Sequence, residues 1–229
     1  MTPKQYRRAA AAAAAFVLIV LGAIVIGSSR TRANDQDDED SKIRTGFEIA
    51  PVHLNLHGKN RELVGLGSYI VNAQADCNGC HSAGPETEFS NGGNPYFGQP
   101  TKVNPDTYLG GGRDFGPFPG PGPFPHIFSR NLTPDKTGRP EGGHTFSEFV
   151  QIIRNGTDFD HIHPTCTGAP NGTCLPAPFD GALLQIMPWP IYANMSYHDL
   201  RAIYEYLSAI PCVEGPPAPS ILHNDCNRP

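Results

Sequence analysis

The stretch from Asp76 to Ser82, DCNGCHS, constrains this chain more than any other. Cys77 and Cys80 stand three residues apart, and His81 follows the second cysteine directly. Two cysteines at this spacing can form a redox dithiol, contribute to a zinc site or attach a cofactor covalently. A thioredoxin-like dithiol would need a βαβ pattern around it, and a structural zinc site would need a second pair of ligands. The sequence contains neither pattern.

The favoured interpretation is covalent attachment of haem c, for which Cys-x-x-Cys-His is the signature. Thiols three residues apart on a short helical turn can reach the two vinyl groups of one porphyrin. The imidazole of the next residue then points at the iron. We therefore predict one haem c, bound covalently through Cys77 and Cys80, with His81 as its proximal iron ligand.

The methionines are the first candidates for the second iron ligand. Met187 lies in the segment LQIMPWPIY, where Pro188 stiffens the backbone and favours an extended conformation at the preceding residue. Met195 comes just before Ser196, the expected N-cap of a helix, so a packing role is expected there. We predict Met187 as the distal ligand and keep Met195 or a histidine as alternatives; the histidines are His126, His144, His161, His163, His198 and His223.

The N-terminus is typical of an export signal or a membrane anchor. Lys4, Arg7 and Arg8 precede an uninterrupted apolar run over residues 9–26. We predict a hydrophobic helix within residues 1–30, either cleaved or retained. In both cases the following residues lie on the periplasmic side of the inner membrane, anchored to it or soluble after cleavage.

The segment after this helix is acidic. Residues 34–41, NDQDDEDS, contain no apolar side chain and are predicted to be a disordered tether within a polar linker, residues 31–60. Residues 31–229 carry 13 Lys and Arg against 22 Asp and Glu. This negative charge argues against nucleic acid as a partner and permits docking to a basic protein surface.

Four further cysteines lie on the exported side, where free thiols do not persist. Local pairing predicts the disulfides Cys166–Cys174 and Cys212–Cys226, each contributing about 2–3 kcal/mol by closing a loop. Crossed pairing remains an alternative, as does a metal site built from His161, His163, Cys166 and Cys174.

Hydrophobic periodicity and capping signals predict three helices: Arg61–Ala75, Thr145–Asn155 and Ser196–Ala209. We find no alternating strand pattern. The long stretch between Ser82 and Gly143 is predicted to be loop, and residues 115–128, FGPFPGPGPFPHIF, a stiff polyproline-like wrap over the haem edge. Arg113 or Arg130 is a candidate to face a haem propionate.

With these motifs in order, the chain resembles a class I mono-haem cytochrome c. It is most similar to the cytochrome c domains of haem subunits from membrane-bound alcohol and sugar dehydrogenases. The resemblance runs from about residue 65 to 211 and rests on three segments: GLGSYIVNAQADCNGCH, SRNLTPDKTG followed by FSEFVQIIRNGTD, and MPWPIYANMSYHDLRAIYEYLSAIP. Those subunits commonly carry several haem domains, whereas this chain has one Cys-x-x-Cys-His motif.

The resemblance implies an all-α, class I cytochrome c fold with long Gly/Pro-rich loops. We assign the cytochrome c domain to residues 61–211 and a disulfide-stapled tail to residues 212–229. The resemblance also implies Cys77 and Cys80 as haem attachments and His81 and Met187 as the axial ligands.

A haem iron with His81 and Met187 on its two faces exchanges single electrons and has no position for a substrate. We therefore predict an electron carrier rather than an enzyme, with the haem subunit of a dehydrogenase complex as one candidate role. Its redox partners would be a dehydrogenase or a quinol-oxidising complex and a terminal acceptor. The alternatives are a haem enzyme of the peroxidase or oxidase type and a haem-based sensor, both of which need an open iron face.

Overall fold

The structure is a computed structural model that describes residues 36–215 and 220–226. The predicted hydrophobic helix of residues 1–30 lies outside this part of the chain. Among the described residues, no helix has the length and apolar character needed to span a membrane. The chain divides into two units, Met1–Lys42 and Ile43–Pro229, and the second unit contains the candidate functional site.

Helices dominate the described residues, with two short strands between them. Helix α1 covers residues 36–49. It is followed by α2 (Arg61–Tyr69), a π-helical turn (Ile70–Gln74), α3 (Cys77–His81), α4 (Pro85–Glu88), a 3₁₀ turn (Pro95–Phe97), β1 (Asp114–Pro117), β2 (His126–Phe128), α5 (Pro140–Gly143), α6 (Phe146–Asn155), α7 (Trp189–Tyr192), α8 (Tyr197–Leu207) and a second 3₁₀ turn (Ser220–Leu222).

The core is organised around the crossing of α2 and α8. Val64 and Leu200 are completely buried there. The two backbones touch at Gly67, where a Cβ atom would overlap the carbonyl oxygen of Ala202. Glycine is therefore required at this crossing, because any side chain would force the helices apart.

The three helices predicted from the sequence are confirmed, with one refinement. The first predicted helix starts at Arg61, but its last turn, Ile70–Gln74, is π-helical and ends with the amide of Ala75 bonded to the carbonyl of Ile70. Such π-turns insert one extra residue into a helix and are frequent at functional sites. Here the turn comes two residues before α3.

The caps of the other two helices also match their sequence signals. Thr145 and Glu148 form the reciprocal capping box at the start of α6, and Gly156 ends that helix in the left-handed conformation, with φ 68°. Ser196 caps α8 by accepting a hydrogen bond from the amide of Asp199.

A buried polar network connects the π-turn to α8. The Tyr108 hydroxyl donates to Asn72 Oδ1 at 2.5 Å and lies 2.8 Å from the Tyr206 hydroxyl. Asn72 Nδ2 lies 3.1 Å from the same Tyr206 oxygen. Burial raises the pKa of both tyrosines, so both stay protonated and hydrogen-bonded. The network ties three segments that are distant in sequence.

Both predicted disulfides, Cys166–Cys174 and Cys212–Cys226, are present and confirmed. The alternative metal site that used Cys166 and Cys174 is therefore wrong, since these two sulfur atoms are bonded to each other. The C-terminal disulfide closes the tail into a loop. The tail is held to the segment after β2 by a hydrogen bond from Asn131 Nδ2 to the carbonyl of Val213 at 2.8 Å.

The segment 115–128 differs from the predicted polyproline-like wrap. Strands β1 and β2 pair antiparallel within it. The pairing is possible because non-proline residues supply the donors: the Phe118 amide donates to the Pro125 carbonyl at 2.9 Å, and the Ser129 amide to the Arg113 carbonyl at 3.0 Å. Pro and Gly restrict the hairpin to short strands.

The acidic linker also differs from its prediction, because residues 36–49 are helical. Asp38 and Lys42 form an ion pair four residues apart, at 2.5 Å, which supports a helix. Ile43 and Phe47 follow with the same spacing and pack against the core of the second unit. Residues 43–60, assigned from sequence to a linker, belong to that compact unit.

We predict that Gly67→Ala lowers the free energy of unfolding by about 1–3 kcal/mol, because the added methyl group overpacks the contact between α2 and α8. Denaturant unfolding monitored by circular dichroism measures this change. Gly168→Ala is the matched control, since a Cβ atom at Gly168 meets nothing within 4 Å. Equal stability of the two variants would contradict the claim that only glycine fits between α2 and α8 at position 67.

Candidate functional site

Helix α3 carries Cys77, Cys80 and His81 and is held by the loop that follows Tyr108. The side-chain oxygen of Asn78 accepts a hydrogen bond from the amide of Leu109 at 2.9 Å. The carbonyl of His81 accepts one from the amide of Gly111 at 2.7 Å. Both ends of this short helix are therefore fixed by contacts outside it.

The ring of His81 is oriented by a backbone carbonyl. Its Nδ1 lies 2.7 Å from the carbonyl oxygen of Arg130. A carbonyl only accepts hydrogen bonds, so Nδ1 carries the proton and Nε2 keeps its lone pair as a potential metal ligand. Burial lowers the pKa of His81 below its ordinary value, which favours the neutral imidazole that binds metals.

A cavity of about 110 Å³ opens beside this histidine. Cys80, His81 and Met187, three of the four predicted site residues, line it together. The fourth, Cys77, lies on the same short helix and packs against the core. Most other wall residues are apolar: Phe115, Ile127, Phe128, Leu175, Leu183, Leu184, Ile186 and Ile221.

The two cysteines of α3 are not bonded to each other. Burial, followed by the charges of Asp76 and Cys80, raises the pKa of the Cys77 thiol to about 12. A redox dithiol needs the opposite shift, since its thiolate is the reactive form. In the described residues, no group of three or more His, Cys, Asp or Glu side chains could hold a metal ion. The dithiol and zinc interpretations therefore find no support.

Met187 is presented to the cavity by a constrained loop. Ile186 adopts φ 69°, a conformation that β-branched residues rarely take, and Pro188 follows the methionine directly. The Met187 amide donates to the carbonyl of Gln185, and its carbonyl accepts from the amide of Trp189, each at 2.8 Å. Backbone strain of this kind is retained where the surrounding structure imposes a geometry, often at functional sites.

The loop of Met187 rests on the end of α6. A Cβ atom at Gly156 would overlap the Trp189 indole, so only glycine allows the ring to lie there. The indole Nε1 donates to the carbonyl of Leu184 at 3.1 Å, and the amide of Leu184 donates to the carbonyl of Gly156 at 2.7 Å. These contacts fix the loop on both sides of the methionine.

The alternative ligands occupy different positions. Met195 is absent from the cavity wall, and its carbonyl accepts a hydrogen bond from Arg154 at 3.1 Å. Of the six candidate histidines, all in the described part of the chain, His163 lines the cavity, and its Nδ1 is buried without a hydrogen-bond partner. His126, in contrast, pairs with Asp114 at 2.8 Å on the surface.

The two arginines predicted to face a haem propionate also occupy different positions. Arg130 lines the cavity, and its guanidinium pairs with Asp158 at 2.5 Å and with Asp160. Arg113 is not on the cavity wall and donates to the carbonyl of Gly79 at 2.5 Å. A contact between either arginine and a propionate stays a prediction.

The wall also contains two acids that the sequence analysis missed, Glu141 and Asp158. Nothing in their sequence context distinguishes them from surface acids. Both come to the cavity through loops that are remote in sequence from α3. Their position could be found only from the tertiary structure.

The disulfide segment forms part of the same wall. The amide of Cys166 donates to the carbonyl of Leu175 at 2.8 Å, and the amide of Leu175 donates to the carbonyl of Pro164 at 2.9 Å. Leu175, only 1% exposed, faces the cavity next to the disulfide partner Cys174.

The chemistry of these residues fits a haem. The two free cysteines of α3 would supply the thiols for covalent attachment, and the imidazole of His81, with its Nδ1 engaged, would supply a nitrogen ligand. A thioether lines the same cavity, and the remaining wall is largely apolar, as a porphyrin face requires.

Comparison with known proteins finds similarity to a dehydrogenase subunit. The chain is 30% identical over 148 residues to the gluconate 2-dehydrogenase cytochrome c subunit of Pantoea cypripedii. The match covers 64% of this chain and 23% of that subunit. No protein-family profile matches the chain, and no solved structure matches it. The predicted resemblance is thus borne out at a coarse level, as similarity to a cytochrome c subunit of a dehydrogenase.

We predict that the double variant Cys166→Ser, Cys174→Ser loses about 2–3 kcal/mol of unfolding free energy, because the unfolded chain regains the entropy of an open loop. Denaturant titration measures the loss. Thr167→Ala, an exposed change inside the same loop, should stay within about 0.5 kcal/mol of the parent. A double variant as stable as the parent would show that the disulfide does not stabilise the folded protein.

Proposed function

We propose that this chain is an electron-transfer protein with one covalently bound haem c. In this proposal Cys77 and Cys80 form thioether bonds to the two vinyl groups, and His81 and Met187 are the axial iron ligands. We further propose that residues 61–211 form a class I cytochrome c fold. Similarity to a dehydrogenase cytochrome c subunit supports the general class.

One observation carries the proposal. His81 directly follows the second cysteine of the attachment motif, and its Nδ1 is held by the carbonyl of Arg130. The hydrogen bond fixes the ring orientation and leaves Nε2 for iron, which is the arrangement that metal-ligating histidines commonly use. Met187 lines the same cavity and offers a sulfur atom as the second ligand.

When bound, the haem supplies reversible exchange of a single electron. The chain itself would determine how easily that exchange occurs. The thioether of Met187 favours the ferrous state, and the apolar wall excludes water, which disfavours the extra charge of the ferric state. Both effects raise the reduction potential. The backbone hydrogen bonds that hold the loop of Met187 would keep its thioether in one position when the haem is bound, so little reorganisation would accompany electron transfer.

We propose that the electron donor is a dehydrogenase or a quinol-oxidising complex and that a terminal acceptor takes the electron onward. The similarity to a dehydrogenase cytochrome c subunit supports a redox partner of this kind. The apolar run of residues 9–26 supports a location outside the cytoplasmic membrane, with or without an anchor. An open iron face, as in a haem enzyme or sensor, is the competing function.

We predict that the full-length protein, made in a host that matures c-type haem, shows a low-spin reduced spectrum that carbon monoxide does not change. The reason is that Met187 and His81 fill both iron faces. Visible absorption of the reduced protein with and without the gas measures this. A marked spectral shift in the parent protein would favour the enzyme or sensor alternative.

Met187→Ala should convert the protein to a form that binds carbon monoxide, because one iron face then loses its sulfur ligand. Met195→Ala is the matched control and should behave like the parent, since Met195 is not on the cavity wall. Carbon monoxide titration followed at the Soret band distinguishes them. Gas binding by the Met195 variant alone would reverse the assignment of the distal ligand.

A further inference from the structure

Glu141 is a buried acid on the cavity wall that the proposed function does not use. The residue is only 6% exposed, and its buried Oε2 atom has no hydrogen-bond partner in the described part of the chain. Its backbone takes the left-handed conformation in α5, with φ 52°. A buried polar atom without a partner is costly, so this position calls for a functional explanation.

The cation that shares the cavity wall with Glu141 is already paired with other acids. The guanidinium of Arg130 binds Asp158 and Asp160, and it offsets the effect of burial on Glu141 only in part. The other titratable groups on the wall are His81, His163 and Cys80. Arg139 and His144 flank the turn of Glu141 in sequence, and the His144 ring lies 3.8 Å from the carboxylate of Glu148.

This environment favours the neutral carboxyl group. Burial raises the pKa of Glu141 to about 7; Arg130 opposes the shift, and the carboxylates of Asp160 and Asp158 add to it. The group therefore changes its protonation state near neutral pH, at the edge of a cavity that also holds the proposed iron ligands.

We propose that Glu141 is a proton-exchanging group coupled to the redox centre. This inference rests on the proposed function. When one electron from the redox partner enters the iron site, one proton from solvent binds a carboxylate oxygen of Glu141. When the electron leaves, the proton returns to solvent. The net charge of the cavity then changes less than the electron alone would make it change.

Electrostatics determines how the reduction potential changes with pH. The oxidised site carries one more positive charge, which favours the carboxylate and lowers the pKa of Glu141 relative to the reduced site. Between these two pKa values the reduction potential falls as pH rises. Full coupling of one proton to one electron gives a slope of about 59 mV per pH unit, which corresponds to a tenfold change in the equilibrium constant.

The proposal is tested by measuring the midpoint potential of the full-length holoprotein by spectroelectrochemistry, from about pH 5 to about pH 9. The parent should show a falling potential around neutral pH. Glu141→Gln should hold the potential at the parent's acid-side value across the range, because glutamine mimics the protonated acid. Glu86→Gln, an exposed change of the same charge, should follow the parent curve.

A pH-independent potential in the parent would overturn the proposal, as would a slope that survives in Glu141→Gln. The visible spectrum separates this failure from a failure of the proposed function, because a normal haem c spectrum with a flat potential refutes only the role of Glu141. If Glu141→Gln does not fold, the proposal is tested on the parent protein instead. An indicator dye then measures whether the parent takes up protons when it is reduced near pH 7. Fractional uptake supports the coupling, and no uptake contradicts it.

Discussion

The hydrogen bond from the His81 ring to the carbonyl of Arg130 connects residues 49 positions apart and organises the cavity. The backbone of Arg130 orients the imidazole, while its side chain binds Asp158 and Asp160 on the same side of the molecule. One residue therefore positions a candidate iron ligand and also neutralises an acidic cluster. The buried acid Glu141 lies on the same wall, and its Oε2 has no hydrogen-bond partner among the described residues.

The parts of the site that could be predicted from sequence are those specified by neighbouring residues. The Cys-x-x-Cys-His spacing is local, and so are the capping box of α6 and the two short disulfide loops. The choice of Met187 over Met195 rested on adjacent prolines, and Met187 is the methionine on the cavity wall. In each case a few consecutive residues carry the physical cause.

The parts that could not be predicted depend on contacts between remote segments. Glu141 and His163 reach the wall through loops whose composition resembles any exposed turn, so their burial has no local signal. The strand pairing of residues 114–128 was missed because Pro and Gly mask the alternation that normally identifies strands. The helix of residues 36–49 was missed because an acidic composition was taken as disorder, although its ion pair and the following apolar residues favour a helix.

The close contact of α2 and α8 at Gly67 affects the order in which the segments of the chain pack during synthesis. Residues of α8 complete the core, and they are synthesised after α2 and after the helix with Cys77 and Cys80. Until α8 is made, α2 lacks the helix that it packs against at Gly67. Before that packing forms, the cysteines are accessible on the nascent chain, and chemistry at their sulfur atoms can precede the packing of Cys77 against the core.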